Sequence, residues 1–222
     1  RDVAPSRGLG DVYKRQLHNR EVWIMRDEFE RQLALLNEEL TTMGGLIESA
    51  IANAVKALDG DEHSINKAYD YEKSIDNKER EIESLCLKLL LTQQPVASDL
   101  RLISAALKMI TDMERIGDQA EDIAEIAATA KKKMLKKSKH IQRMAAATID
   151  MVNKSVEAFI KKDLLVTEEV SHNDDVVDAL FEEIVNDLVD IIKKDEGTSE
   201  VLDMLMVCLL YTSPSPRDGA TS

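Results

Sequence analysis

The run Asp112-Met113-Glu114-Arg115-Ile116-Gly117-Asp118-Gln119-Ala120-Glu121-Asp122-Ile123-Ala124-Glu125 concentrates carboxylates at helical spacing. On a helix turning about 100° per residue, Glu114, Asp118, Glu121 and Glu125 fall within an arc of roughly 60°, and Asp122 sits just off it. Ile116, Ala120, Ile123 and Ala127 cluster on the far side, so the helix can bury its back and present the acidic row. Like charges at i,i+4 cost about 0.2–0.5 kcal/mol per pair, and no lysine or arginine lies within the arc to relieve them. A hard cation would relieve them: oxygen-only ligand sets suit Mg²⁺, Ca²⁺ or Mn²⁺, and carboxylate clusters also hold iron. The bland alternative, a plain solvated acidic face, stays open. Acid/base chemistry by paired carboxylates lacks support, because no histidine base, nucleophile or aromatic wall accompanies the row. Gly117, inside the row, costs about 1 kcal/mol relative to alanine. That suits a place where a second helix or a ligand comes close to the backbone, and tight core packing explains it equally well.

The other candidates are plainer. Glu72 and Glu79 interrupt the apolar stripe of the preceding helix, either at its exposed margin or as contributors to the acidic surface. His63 and His172 lie near helix starts with no partner at ligand spacing and read as surface histidines. Ser98-Asp99-Leu100-Arg101, after Pro95, reads as a first helical turn with acidic charge at the positive dipole end. Cys86 and Cys208 each sit inside an apolar run without CxxC or Cys/His spacing, which gives a disulfide or zinc-thiolate site little support and favours a reducing compartment. The lysine run Lys131 to Lys139 reads as a solvated helix end and linker.

The elements that position the row are legible in the composition. The chain has 222 residues, 44% hydrophobic, 4% aromatic and 32% charged, with 8 glycines and 4 prolines, the palette of long helices. Its net charge of −13 repels phosphate backbones and anionic lipid, so nucleic-acid binding is not expected. No stretch approaches the roughly 20 apolar residues that span a bilayer, so no membrane insertion is expected. Phe29, Leu33, Leu36, Leu40, Met43, Ile47, Ala50, Ala54 and Leu58 form one stripe of a first long helix, which Asp59-Gly60-Asp61 ends. A second helix runs from about Glu62 to Gln94, with Ile65, Ala68, Ile75, Ile82, Cys86 and Leu89 on its stripe. Pro95 stops it and opens a third, about Val96 to Lys133, with Leu100, Ile103, Leu107 and Ile110. Two more follow, about Ile141–Lys161 and Leu164–Lys194, and a sixth begins at Ser199.

The chain repeats itself. A shift of about 101 residues sets Val55 on Val156, Ala57 on Ala158 and Leu58 on Phe159. A shift of about 102 sets Ile75 on Val177, Asp76 on Asp178, Ile82 on Ile184, Leu100 on Leu202 and Leu107 on Leu209, and a loop is the expected place for the one-residue slip. The expected architecture is all-α, a tandem repeat of two antiparallel three-helix bundles (25–134 and 139–210) with the sixth helix truncated. The ends read differently. Arg1 to Gln16 and Thr212 to Ser222 carry proline and glycine without a helical period, read as loops or tails, and resemble translated adaptor sequence. Residues 1–24 are therefore expected to be a non-native or untranslated leader, with translation starting at Met25, and 211–222 a non-native tail.

Gln93-Gln94-Pro95-Val96-Ala97-Ser98-Asp99-Leu100-Arg101, then Glu114-Arg115-Ile116-Gly117-Asp118 and Ile123-Ala124-Glu125, inside a doubled three-helix repeat opening with Met25-Arg26 and Phe29, resemble the PhoU family of phosphate-uptake regulators. The resemblance covers about Met25 to Val207. It implies a cytoplasmic, oligomeric protein, homodimer or higher, that is not an enzyme. Such a protein restrains phosphate uptake and the phosphate-starvation response by contacting the ATPase of a phosphate ABC transporter and a sensor histidine kinase. The resemblance also implies a metal site, divalent or multinuclear (Mg, Mn, Fe or Zn), on an acidic E/D-xxx-D motif of the third helix of each repeat. Glu114 and Asp118 match that motif, with Asp122 one turn on and Glu121 and Glu125 completing the row. The second copy of the motif would fall at about residue 216, where the chain reads Pro216-Arg217-Asp218-Gly219, so the helix-six site is expected to be missing. Two other classes remain. A carboxylate-bridged metalloenzyme of bundle type would carry inward-facing Glu-x-x-His pairs, a spacing the chain is read as lacking, and a structural helical scaffold would take up no metal.

Overall fold

A computed structural model describes residues 7–92, 95–129, 139–193 and 198–212. Six helices follow in order: α1 (Arg7–Leu58), α2 (Glu62–Thr92), α3 (Ala97–Thr129), α4 (Lys139–Lys161), α5 (Leu164–Lys193) and α6 (Thr198–Thr212). There is no strand among the described residues. In the first repeat α1 packs on α2 and α3, and α2 on α3. In the second, α4 packs on α5, and α6 on both. The two bundles meet through α1 against α4 and α3 against α6.

The stripe read along α1 is the core: Phe29, Leu36, Leu40, Met43, Ile47, Ala50, Ala54 and Leu58 are buried, and Leu33 packs against them. Burial of Ile51 and Ala57 beside that stripe widens it, because α1 is covered by α2 and α3 on one side and by α4 on the other. In α3 the buried positions Ile103, Ala106, Ile110, Met113, Gly117, Ala120 and Ala124 step by threes and fours. Leu100, expected on that stripe, is exposed. It precedes the buried Ile103 by nearly a full turn and lies to one side of it.

α1 and α4 end in the same way. The Asp61 amide donates to the Lys56 carbonyl and the Gly60 amide to that of Ala57, which satisfies the last carbonyls of α1. Gly60 has φ of 95°, the left-handed conformation this cap needs. The Asp163 amide donates to the Ala158 carbonyl, 102 residues later on both partners, and Lys162 stands at φ 54° in the place of Gly60. Asp61 and Asp163 then cap the following helices, accepting from the amides of His63 and Leu165 respectively. The turns are thus in the 102-residue register from Lys56 and Ala158 onward. The expected 101-residue matches of Ala57 on Ala158 and Leu58 on Phe159 are therefore not the structural ones, since this register sets Ala57 on Phe159 and Leu58 on Ile160.

At its start α3 is tied to α1. Asp99, almost buried, accepts from the Val96 amide and from Arg26 at 2.9 Å. The Arg26 guanidinium lies 5.0 Å from the Phe29 ring centroid. The acidic charge expected there for the dipole is also one end of a link between helices.

The N-terminal reading needs correction. α1 begins at Arg7, so residues 7–16 are helix and not loop. After Pro5 no proline remains to break the helix, and Gly8 and Gly10 cost only about 1 kcal/mol each against a helix that is already propagating. Residues 1–6, the linker 130–138 and the tail from 213 lie outside the described residues. α6 spans 15 residues against 33 in α3.

Candidate metal centre

α2 and α3 lie against each other with unusually little between them at one level. Gly117 of α3 faces Ile75 of α2, which is 1% exposed. The reason for a glycine in the row is therefore the approach of the second helix. Beside this contact, Glu72 and Asp76 flank Ile75, and Glu114 and Asp118 flank Gly117.

Carboxylate oxygens of Glu72, Asp76 and Asp118, one from each, all lie within 4.8 Å of one another. Of the residues expected from the row, Asp118 joins this cluster, and two of its three members come from α2. Glu114 and Glu121, half-buried, flank Asp118 on α3, while Asp122 and Glu125 are exposed. Glu79 of α2 accepts from the Thr111 hydroxyl of α3 at 3.5 Å. The site is a ridge shared by two helices rather than one face of one helix. Sequence reading raised Glu72 and Glu79 as possible contributors and missed Asp76. The available signal was the spacing of Glu72, Asp76 and Glu79, four then three, the same as that of Glu114, Asp118 and Glu121.

The electrostatics of the ridge are uniform in sign. Burial pushes the carboxyl of Glu114 up, and repulsion from Asp118, Glu79, Asp76 and Glu72 adds to it. Burial also raises Asp118, with Asp76 and Asp122 contributing and a hydrogen bond with Glu114 acting in the opposite direction. Glu72 rises through burial and then Glu121, Asp76 and Asp118. Glu79 and Glu121 rise for the same leading reason. The Tyr69 hydroxyl is raised by burial and by Glu125 and Glu121. Some relief comes from α2: Arg80 pairs with Asp76 at 2.8 Å, and Lys73 acts favourably on Glu72 and Glu121. The α3 arc holds no cation of its own, as its sequence indicates, yet its neighbour supplies two. One guanidinium on one carboxylate leaves the excess of negative charge in place.

Three carboxylate oxygens at these separations suit a hard cation of the Mg²⁺, Mn²⁺ or Ca²⁺ type, and no soft donor is present in the cluster. An inward-facing Glu-x-x-His set is absent from it. The chain does, against the expectation, contain one such spacing, Glu169 to His172 on α5, but both residues are exposed and Glu169 pairs with Lys154 at 3.0 Å. His63 is exposed as well, as expected. Cys86 and Cys208 are buried free thiols, and burial pushes them up to about 11 and about 12, which makes them unreactive packing groups.

Fold and site together define a class: an all-helical protein of two tandem three-helix bundles with a carboxylate ridge on the second and third helices of the first. The PhoU domain family model matches residues 40–127 and 141–213, one copy for each bundle. The chain belongs to the PhoU family. It is 35% identical over 192 residues to the phosphate-specific transport system accessory protein PhoU homolog of Clostridium acetobutylicum, covering 82% of this chain and 85% of that protein. It is 28% identical over 176 residues to the phosphate-specific transport system accessory protein PhoU of Escherichia coli K12, covering 77% and 72%. The crystal structure of PhoU from Pseudomonas aeruginosa superposes with a TM-score of 0.73 at 27% identity, covering 84% of this chain and 91% of that one. The phosphate transport system regulatory protein PhoU from Streptococcus pneumoniae shares the fold, with a TM-score of 0.76 at 20% identity, covering 84% and 89%. No described helix is long and apolar enough to cross a membrane.

Proposed function

We propose that this chain is a cytoplasmic accessory regulator of phosphate transport and phosphate-starvation signalling. It acts by contact with the ATPase of a phosphate ABC transporter and with a sensor histidine kinase, as a homodimer or higher oligomer, and catalyses no reaction itself. Family membership supports the role in phosphate transport. The observation that carries the mechanism is the Glu72/Asp76/Asp118 cluster, in which carboxylates from two helices meet with too little positive charge to balance them. A divalent cation held there by Glu72, Asp76 and Asp118, with Glu114 and Glu121 at its margins, neutralises the ridge and locks α2 to α3. The bundle then presents a face whose charge depends on the ion, and this is the surface offered to the partners.

Metal analysis of protein purified without chelator tests the reading directly. The wild type is expected to carry metal, and Glu72→Gln/Asp118→Asn to lose it. The same variant is expected to retain less transporter ATPase in co-purification. Equal metal in both proteins discards the site, and no metal in either leaves a structural scaffold. Phosphate release or hydrolysis by the purified protein that this variant abolishes would instead favour a carboxylate-bridged metalloenzyme.

A further inference from the structure

A tight contact between α2 and α3, Gly117 against Ile75, lies at the level where Glu72, Asp76 and Asp118 converge. A β-carbon at position 117 would lie 2.9 Å from Ile75 Cδ1 and 3.1 Å from Ile75 Cγ2. Ile75 is 1% exposed and branched at its own β-carbon, so its side chain has few rotamers and little room to retreat. Gly44 and Gly45 of α1 are not constrained in this way. A β-carbon at Gly44 would meet Val156 Cγ2 at an ordinary 3.7 Å, and one at Gly45 would meet nothing within 4 Å. Of these three glycines, only at Gly117 must something shift if a side chain is added, and Ile75, buried and β-branched, can yield little without moving its helix. Glu72 and Asp76 ride on one of those helices, and Asp118 on the other.

We propose that Gly117, packed on Ile75, sets the spacing of the carboxylate cluster and so selects smaller over larger divalent cations. The proposal rests on the metal-binding reading above and deepens it. Mg²⁺ and Mn²⁺ bind oxygen at about 2.0–2.2 Å, which places neighbouring ligand oxygens about 3 Å apart, whereas Ca²⁺ at about 2.3–2.6 Å tolerates a wider and more flexible set. A separation of α2 from α3 by a few tenths of an ångström carries Asp118 away from Glu72 and Asp76 together. It weakens the small ions more than Ca²⁺. Gly117 is a positioning residue in this scheme and touches no ion.

Calorimetric titration of the chelator-stripped full chain with Mn²⁺, and separately with Ca²⁺, tests this on the wild type, Gly117→Ala, Gly117→Ala/Ile75→Ala and Asp118→Asn. The double variant leaves only the Ile75 β-carbon, 3.5 Å from the new methyl, an ordinary contact. Gly117→Ala is expected to lose about ten-fold or more in Mn²⁺ affinity, the usual effect of disturbing the support of a ligand set. Its Ca²⁺ affinity should fall less, so that the Mn²⁺/Ca²⁺ ratio moves toward Ca²⁺, and the double variant should restore the ratio. Far-UV circular dichroism and the thermal midpoint in chelator verify that each variant is folded. If Gly117→Ala keeps both the wild-type affinity and the wild-type ratio while Asp118→Asn does not bind, the spacing role is overturned and the metal site stands. Equal loss of both ions without restoration by the double variant also overturns it. If the wild type shows no saturable binding, or Asp118→Asn binds as well as the wild type, the metal reading falls and the spacing role with it.

Discussion

The carboxylates of the ridge are held against their own preference, and that has a measurable sign. Glu72, Glu79, Glu114, Asp118 and Glu121 are all raised, chiefly by burial. A carboxyl raised in the folded state binds its proton more readily there than in the unfolded chain, so protonation favours folding. The window opens at the ordinary values of 3.8 and 4.5 and extends upward from them. In chelator, the thermal midpoint is therefore expected to rise as pH falls from 7 toward 5. Glu28, Asp61 and Asp150 are shifted the opposite way by their hydrogen-bond partners, and their contribution is lost only as pH falls further, through their lowered values. Glu72→Gln/Asp118→Asn should flatten the rise and stabilise the chelated protein at pH 7. A midpoint that falls between pH 7 and 5, or one equally steep in the variant, refutes the assignment. At this scale the sequence was half legible. Glu114, Asp118 and Glu121 stood out because one helix displays its own period. Asp76 did not, because nothing in a single helix's period tells which residues of a neighbour lie opposite it.

The two repeats differ in cost at the turn that ends their first helices. Lys162 adopts at φ 54° what Gly60 adopts at φ 95° in the equivalent turn. A residue with a β-carbon pays a steric penalty there of about 1–2 kcal/mol. Lys162→Gly is accordingly expected to stabilise the protein by about 1 kcal/mol, and Gly60→Ala to destabilise it by a similar amount, in urea unfolding. The first change should also leave the Asp163 to Ala158 hydrogen bond in place. A second test at this scale concerns the link between α1 and α3. Asp99→Ala removes the acceptor of both the Val96 amide and Arg26 and is expected to cost about 1–2 kcal/mol. The helices themselves were read closely from apolar stripes, since burial along α1 and α2 follows them. The start of α1 was misread, because glycines early in a helix resemble a loop when only local composition is weighed.

Among the described residues the two bundles are unequally covered: α3 lies along its partners for 33 residues and α6 for 15. An apolar groove with a cavity of about 160 Å³ remains between α3 and α4, lined by Met109, Met113, Met151, Val152 and Val156. Leu202, Met206 and Leu209 of α6 are about half exposed. Less burial means a smaller free energy of local opening. Amides of α4 and α5 are therefore expected to exchange with deuterium faster than those of α1 to α3, and equal protection across both bundles rules this out. The tandem repeat itself followed from the offset, which periodicity can reveal. The 101-residue matches at the end of α1 were misread, since chance likeness of apolar residues does not fix a register and the hydrogen bonds of the turns do. The paired turns also show what this part of the fold demands. Lysine stands where glycine stands, yet the Asp163 amide meets the Ala158 carbonyl as the Asp61 amide meets that of Lys56, 102 positions apart. The feature common to the two repeats is the hydrogen bond across the turn, and glycine is one of two ways of reaching it.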